Sequence, residues 1–414
     1  MPGPLPYHRR LQKLLAREYP EIWRWFASDT FHRDMREEWR LELLKTTYRL
    51  SADDHPDLHD RVRKTLQAFA IDAPWTLYQS QNHDGLPNAA LAYLPGEVQL
   101  IFYGPILERL DDDELDVLLG HEVAHYYFYE LENHAFFTMT RVLQALASDD
   151  MADPAHLESA RLASLHTEIL ADRGAFSATG NLDASVRLLV KLCTDAAKVN
   201  AASYLQQAAE IFDREEVETD GITHPEVFIR TRALELWSRY VDDPQTTEDE
   251  LETPVAAMMD RDLRFEGLDL LGQEELRRRT FNLIRRLLHP LWMRTDAALA
   301  HARLFFERAP IFVGVDEPPA PPSAAHDEEL ARYFAYVLTD FVALTRELED
   351  GAVAIAFARA TELGIDELLA DILHKELGIT KTLLKRIRRE TPSILATLGS
   401  GDAGDDGPSS EAAS

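Results

Sequence analysis

The sequence predicts an α+β protein that is mostly α, with one small β-sheet. Two observations support this fold class. Most of the chain places apolar residues three and four positions apart, which is the period of an amphipathic helix. Only the region from Pro74 to Tyr103 has short apolar runs separated by turn signals, which is typical of strands. The length of 414 residues allows two or three domains and a large core.

Composition is that of an ordinary globular protein and excludes two kinds of partner. Hydrophobic residues make up 45% of the chain and charged residues 28%. With 43 basic and 72 acidic residues the net charge is −29, so neither nucleic acid nor an anionic membrane is expected to bind. No apolar run is long enough for a membrane span. The single cysteine and the lack of a signal-peptide pattern predict a soluble, cytoplasmic protein.

The region before the central motif is predicted to contain helices and then a sheet. Helix is expected from Leu11 to Leu50, within an N-terminal helical extension of residues 1–50, and again from Asp57 to Ala70. Three strands are expected over residues 74–80, 88–94 and 97–103. The last two form a predicted hairpin that turns at Pro95-Gly96. The sheet would lead the chain directly into the next helix.

The segment from Leu115 to Tyr127 holds the most informative motif, His-Glu-x-x-His. On a helix, His121 and His125 are one turn apart and project from the same face. Two neutral imidazoles at this spacing can bind one Zn²⁺, and Glu122 then lies beside the open metal position, where it can accept a proton from an activated water. The alternative is two surface histidines on an ordinary helix. The acidic turn before the motif and its apolar face favour the metal site.

Two carboxylates further along the chain are candidates for completing this site. Glu168 and Asp172 are four residues apart, so they share one helix face among apolar neighbours, where they repel each other unless a cation is near. Glu168 as third zinc ligand and Asp172 as acceptor for a zinc histidine N–H would remove that cost. The alternative is a solvated acidic stripe with Asp172 paired to an arginine. His134 and His166 also remain open as third ligands.

A third element is the sequence Thr223-His224-Pro225, followed by Arg230. Pro225 favours extended backbone before it and a helix start after it. A histidine fixed at such a point could line an active site and donate to a developing oxyanion. The alternative is a surface histidine in a loop.

Taken in order, these motifs resemble the M48 family of zinc metallopeptidases, in a branch without transmembrane helices. The resemblance covers roughly residues 55 to 240 and rests on the following segments: Asn88-Ala89, Asp112-Asp113-Glu114-Leu115, Gly120-His-Glu-Val-Ala-His125, Glu168-x-x-Ala-Asp-Arg-x-Ala175 and Thr223-His-Pro225 with Arg230. It implies a zincin core of the gluzincin type, one Zn²⁺ per chain and a peptide or protein substrate. Members of this family usually have membrane-spanning helices, and the absence of one here is a departure from the family's pattern.

The resemblance also implies a role for each candidate residue. These roles are zinc ligation by His121, His125 and Glu168, general-base catalysis by Glu122, orientation of a zinc histidine by Asp172, stabilisation of the tetrahedral intermediate by His224, and substrate binding by Asn88, Ala89 and Arg230. A zinc metalloendopeptidase is the activity expected from this set.

The rest of the chain is predicted to be helical and separate from the core. The expected divisions are a metallopeptidase core at 51–241, a helical region at 252–310, a small helical module at 327–398 that is faintly similar to the TerB-like fold, and a disordered acidic tail at 399–414. This C-terminal region could contact the core or a partner protein. The rival hypothesis is therefore a latent or non-catalytic zincin-fold scaffold that acts through its helical C-terminal region.

Overall fold

The computed structural model describes residues 1–81, 87–148, 151–194, 196–214, 217–243, 245–259, 265–306, 318, 320, 322–325 and 327–402, without the side chains of 266, 401 and 402. The chain divides into two compact units. The first comprises Met1–Asp262 with Asp269–Leu271, and the second comprises Leu263–Leu268 with Gly272–Ser414.

The N-terminal region is helical, with breaks that the sequence analysis missed. Its elements are α1 (Pro6–Glu18), α2 (Pro20–Phe26), α3 (Asp29–Thr46) and strand β1 (Thr47–Leu50). The single helix expected from Leu11 to Leu50 is therefore wrong. Pro20 begins α2 because the first turn of a helix is where a proline is best tolerated. The Ser28 hydroxyl caps α3 by accepting from the Phe31 N–H at 3.2 Å.

Helix α4 (Pro56–Ala68) follows β1 and leads to the strands β2 (Trp75–Ser80), β3 (Asn88–Leu91) and β4 (Val98–Tyr103). The four strands form one sheet with the order β1-β2-β4-β3. β2 runs antiparallel to β1 and parallel to β4, while β3 and β4 form the predicted antiparallel hairpin. β3 is an edge strand, so one side of its backbone is not used by the sheet.

Two long helices follow the short helix α5 (Ile106–Arg109). They are α6 (Asp112–Ala147), which carries the His-Glu-x-x-His motif, and α7 (Pro154–Thr179), which carries Glu168. The start of α6 is set by a capping box: Asp111 accepts from the Glu114 N–H at 2.9 Å, and Glu114 accepts from the Asp111 N–H at 3.0 Å.

α6 and α7 approach closely because each has a glycine at the contact. A Cβ on Gly174 would lie 2.5 Å from the Cβ of Ala124, and a Cβ on Gly120 would lie 3.0 Å from the Cα of Ala175. Any larger residue at these two positions would push the helices apart. The close approach brings the histidine face of α6 against the carboxylate face of α7.

α6 is not one continuous helix, whereas the sequence predicts helix from Tyr126 to Ala147 with His134 on it. Residues 131–134 have non-helical backbone, and Glu132, Asn133 and His134 have positive φ values. The Tyr93 hydroxyl holds the two sides of this kink, because it lies 2.8 Å from both Glu130 Oε1 and His134 Nδ1. A tertiary contact thus outweighs the strain of left-handed backbone at non-glycine residues.

The described part of the first unit continues with four further helices: α8 (Leu182–Thr194), α9 (Ala201–Phe212), α10 (Val227–Asp242) and α11 (Glu248–Met259). α11 contributes Val255, Met258 and Met259 to the same buried cluster as Leu162 of α7 and Ile229 of α10. The first unit therefore extends past residue 241, and α1 packs in the same cluster.

The N-terminal helix α1 contributes a buried titratable group to this cluster. His8 is 0% exposed and lies 3.3 Å from the Ala163 carbonyl oxygen through Nε2. Burial lowers the pKa of His8 from 6.5 to about 4. Between these values the unfolded state binds a proton that the folded state does not, so stability falls as pH drops from 6.5 towards 4.

Replacing His8 with glutamine should make the free energy of unfolding less dependent on pH, because glutamine can still donate to Ala163 and does not titrate. The wild type should lose about 2 kcal/mol of unfolding free energy from His8 between pH 7 and pH 5, and His8→Gln should not lose that share. Urea unfolding at the two pH values measures this difference. The control is His55→Gln, at a partly exposed position. The prediction would be contradicted if wild type and His8→Gln lost the same unfolding free energy between pH 7 and pH 5.

In the second unit, all described residues with regular secondary structure are helical. Its helices are α12 (Leu270–Leu287, of which the first two residues count with the first unit), α13 (Asp296–Phe305), α14 (Glu328–Leu344), α15 (Asp350–Leu363), α16 (Asp366–Leu377) and α17 (Lys381–Asp402). Phe334, Phe341 and Phe357 are at the centre of its core. The mostly helical α+β class is confirmed. In the described part of the chain no helix has an apolar stretch that could cross a bilayer.

Candidate metal centre

The two histidines of α6 point at one position. Their ring centroids are 4.8 Å apart, and the Nε2 atoms of His121 and His125 are 3.2 Å apart. Glu168 of α7 faces the same position, with Oε2 3.4 Å from His121 Nε2 and Oε1 3.6 Å from His125 Nε2. These three residues form a group with metal-ligating atoms within 4.8 Å of one another.

The nitrogen and oxygen atoms that converge there suit a cation. Glu168 Oε2 is buried and makes no well-formed hydrogen bond among the described residues. Two Nε2 atoms that face each other at 3.2 Å cannot both carry a proton without repulsion, whereas both can offer a lone pair to a metal. Two imidazoles and one carboxylate are a common ligand set for Zn²⁺ with an open position.

Asp172 lies behind His121 and fixes the orientation of that ring. Its Oδ1 atom is 3.0 Å from His121 Nδ1, so the Nδ1–H can be donated to the carboxylate and Nε2 stays available. Arg230 of α10 holds Asp172 in turn, donating through Nε and Nη2 at 2.7 Å each. A buried chain thus runs from Arg230 through Asp172 to His121.

The electrostatics of the cluster reflect this pairing. Burial lowers the pKa of His121, but interaction with Asp172 and Glu168 outweighs burial and raises that pKa to about 10. Burial lowers the pKa of His125 to about 4. Burial opposes ionisation of both carboxylates, yet the pKa of Glu168 falls well below its usual value beside the histidines, and Arg230 lowers that of Asp172.

Glu122 lies next to the cluster but is not part of it. Its side chain is buried, and burial raises its pKa to about 7. The Leu91 N–H of edge strand β3 donates to the Glu122 carboxylate. This bond ties the carboxylate to the strand that borders the cleft, close to the position on which His121, His125 and Glu168 converge.

His224 comes from the loop before α10 and is an exposed member of the site, with 52% of its side chain accessible. Its Nδ1 lies 2.9 Å from the Thr223 hydroxyl and its Nε2 lies 3.4 Å from Glu168 Oε2. The loop closes tightly on itself, because a Cβ on Gly221 would lie 2.1 Å from the His224 carbonyl oxygen. A glycine is therefore required for this loop to present the imidazole at the cleft.

All nine site residues expected from the sequence border one cavity of about 320 Å³. Asn88 and Ala89 border it from β3. The two other histidines considered as ligands lie elsewhere: His134 contacts the Tyr93 hydroxyl at the kink, and His166 is buried and stacked on Tyr7 at 4.5 Å. Neither belongs to the ligand cluster.

The sequence analysis missed two parts of this cavity. Tyr129 lines it one turn after His125, where burial and the carboxylates of Glu168 and Glu122 raise its pKa to about 12. The spacing His121, His125, Tyr129 could have identified it, since residues four apart share a helix face. One face of α8 also lines the cavity, and its position could not be read from the motif because α8 is distant in sequence.

Comparison with known protein families gives a match. A family model described as Peptidase family M48 matches residues 52–238, a little under half of the chain. This segment contains the whole cluster and all nine site residues. Neither the curated proteins nor the solved structures include a significant match.

Proposed function

Residues 52–238 belong to peptidase family M48, a family of metallopeptidases, and from this premise we propose that the chain is a zinc-dependent endopeptidase. We propose His121, His125 and Glu168 as the ligands of one Zn²⁺ and Glu122 as the general base. The observation that carries the proposal is the convergence of two Nε2 atoms and one buried carboxylate on a single position, with Glu122 beside it.

A bound Zn²⁺ would supply Lewis acidity, both towards the carbonyl of the scissile peptide bond and towards a water molecule. The chain itself would move the proton. Glu122 is buried and its pKa is raised to about 7, which suits a group that must first accept a proton from water and then give it to the amide nitrogen. The Leu91 N–H would hold the carboxylate in place during both transfers.

The edge strand β3 supports binding of an extended peptide. Asn88 and Ala89 lie in β3 and line the cavity, and a peptide that adds to this edge would run past the metal position. His224 is exposed enough to meet such a peptide and could donate an N–H to the developing oxyanion. Arg230 is 7% exposed and paired with Asp172, so we propose that it positions Asp172 and does not bind substrate.

Metal content and hydrolysis, measured together on the full chain, test the proposal. Elemental analysis should find one zinc per chain, and the protein should cut unfolded casein at internal bonds, with the products identified by mass spectrometry. A chelator should stop hydrolysis and added zinc should restore it. Zinc without hydrolysis would favour the latent or scaffold hypothesis, in which the C-terminal helical region or a partner controls the protein. Absence of zinc would overturn the proposal.

Replacing Asp172 with asparagine should weaken zinc binding by about 10- to 100-fold, the usual cost of losing a carboxylate behind a zinc histidine. Asparagine keeps the shape and can still accept from His121, but it lacks the charge that makes the imidazole a better ligand. Competition with a chromogenic chelator measures the affinity. Asp34→Asn, at an exposed aspartate on α3, is the control. An affinity within twofold of wild type would show that Asp172 does not act on the metal site.

A further inference from the structure

The lining of the cavity changes from polar to apolar along α6. The face that carries His121 and His125 continues with Tyr129 towards the C-terminal end of the helix. In the other direction, one turn before His121, the same face presents Val117 and Leu118 to the cavity. The metal position therefore lies at a boundary between a polar end and an apolar end of the cleft.

α8 supplies most of the apolar end. The α8 residues that line the cavity are Ser185, Leu188, Leu189 and Leu192, at the i, i+3, i+4 and i+7 spacing of a single helix face. The Ser185 hydroxyl is occupied, because it donates to the Asn181 carbonyl oxygen at 2.8 Å. The surface offered to a ligand is thus aliphatic.

Leu234 adds to this surface from α10, one turn beyond Arg230. We name the five side chains the leucine wall: Leu118, Leu188, Leu189, Leu192 and Leu234. Three helices contribute to it, and four of its members are less than 5% exposed, while Leu192 is partly exposed at the cavity. The leucine wall is therefore a packed apolar surface, and Leu192 is its most accessible member.

The opposite face of α8 fixes this helix to the start of the metal-binding helix. Arg187 Nε donates to Glu114 Oε1 at 3.0 Å, and Lys191 Nζ donates to Glu114 Oε2 at 2.7 Å. Glu114 is 0% exposed and belongs to the capping box of α6. These contacts tie the helix that carries most of the leucine wall to α6, two turns before His121.

We propose that the leucine wall is the specificity subsite for a large aliphatic or aromatic side chain beside the scissile bond. This inference rests on the proposed peptidase function and names its substrate class. A leucine or phenylalanine side chain would leave water for an apolar surface. An acidic or basic side chain would lose its hydration there, because the leucine wall carries no polar group that could replace it.

Binding of two small zinc chelators to the zinc-loaded full chain tests the subsite without requiring catalysis. Leucine hydroxamate and alanine hydroxamate share the chelating group and differ only in the side chain. Isothermal titration should find the leucine compound bound at least about tenfold more tightly, the usual discrimination between apolar side chains of different size. In Leu192→Asp this ratio should fall to about one, because a carboxylate would stand in the partly exposed part of the subsite.

Two further variants are controls for misfolding and for a general effect of charge. Leu192→Ala removes apolar contact without adding charge and should reduce the ratio by a smaller factor. Thr194→Asp places the same charge on an exposed position of α8 and should leave the ratio unchanged. Equal affinity for the two hydroxamates in wild type, or an unchanged ratio in folded Leu192→Asp, would overturn the subsite.

Cleavage-site mapping on casein separates this inference from the proposed function. Leucine, phenylalanine and methionine should be enriched at one position next to the cleaved bond in wild type, and the enrichment should disappear in Leu192→Asp. Hydrolysis with no such enrichment would contradict the proposed subsite and support the proposed peptidase function. A preference for leucine hydroxamate without any hydrolysis would support the subsite and favour the latent or scaffold hypothesis over an active peptidase.

Discussion

Replacing Glu122 with glutamine should reduce casein hydrolysis by about 10³-fold and leave one zinc per chain. Loss of a general base lowers the rate by about 10²- to 10⁴-fold. Glu168 is a ligand in our proposal and Asp172 is paired with Arg230, so neither carboxylate is expected to replace Glu122 as the base. Glutamine has the same shape and can still accept from the Leu91 N–H, so the cleft should keep its form. Initial rates with a quenched peptide, together with elemental analysis, measure both quantities.

The control for Glu122→Gln is the same change at the exposed Glu108 of α5, which should leave the rate within twofold of wild type. Hydrolysis that persists in Glu122→Gln would exclude Glu122 as the base. A loss of zinc in this variant would instead indicate that Glu122 contributes to the metal site. Zinc retained with hydrolysis lost separates proton transfer from metal binding.

Replacing Arg173 with methionine should destabilise the first unit by about 3–5 kcal/mol, the usual cost of breaking a buried ion pair by removing one partner. Arg173 is 2% exposed and donates to Glu252 of α11 through Nη1 at 2.7 Å and Nη2 at 3.3 Å. Its guanidinium also lies 5.1 Å from the ring centroid of Trp237. The substitution would remove both contacts and leave the Glu252 carboxylate without its partner.

Urea unfolding followed by tryptophan fluorescence measures this loss, because five of the six tryptophans lie in the first unit. Adding Glu252→Gln to Arg173→Met should recover part of the stability, since no unpaired charge then remains. Arg33→Met, which breaks an exposed pair with Asp34, should change stability by less than about 0.5 kcal/mol. Equal effects of Arg173→Met and Arg33→Met would show that the pair between α7 and α11 does not stabilise the fold.

The sequence by itself determined the class of the fold and the candidate chemistry. Both follow from short-range rules, because a helix places residues four apart on one face. That rule pairs His121 with His125 and Glu168 with Asp172 from their spacing alone. The hairpin of β3 and β4 could be predicted for the same reason, from a turn signal between two apolar runs.

Only the tertiary structure decided which residues meet across helices. Glycines at the contact of α6 and α7 bring Glu168 within 3.6 Å of both histidines, and α10 delivers Arg230 to Asp172 from 58 positions away in sequence. The strand β1, the kink after Glu130 and the leucine wall also depend on partners far along the chain. Local periodicity carries no information about such partners, because their contact is set by the packing of whole helices against one another.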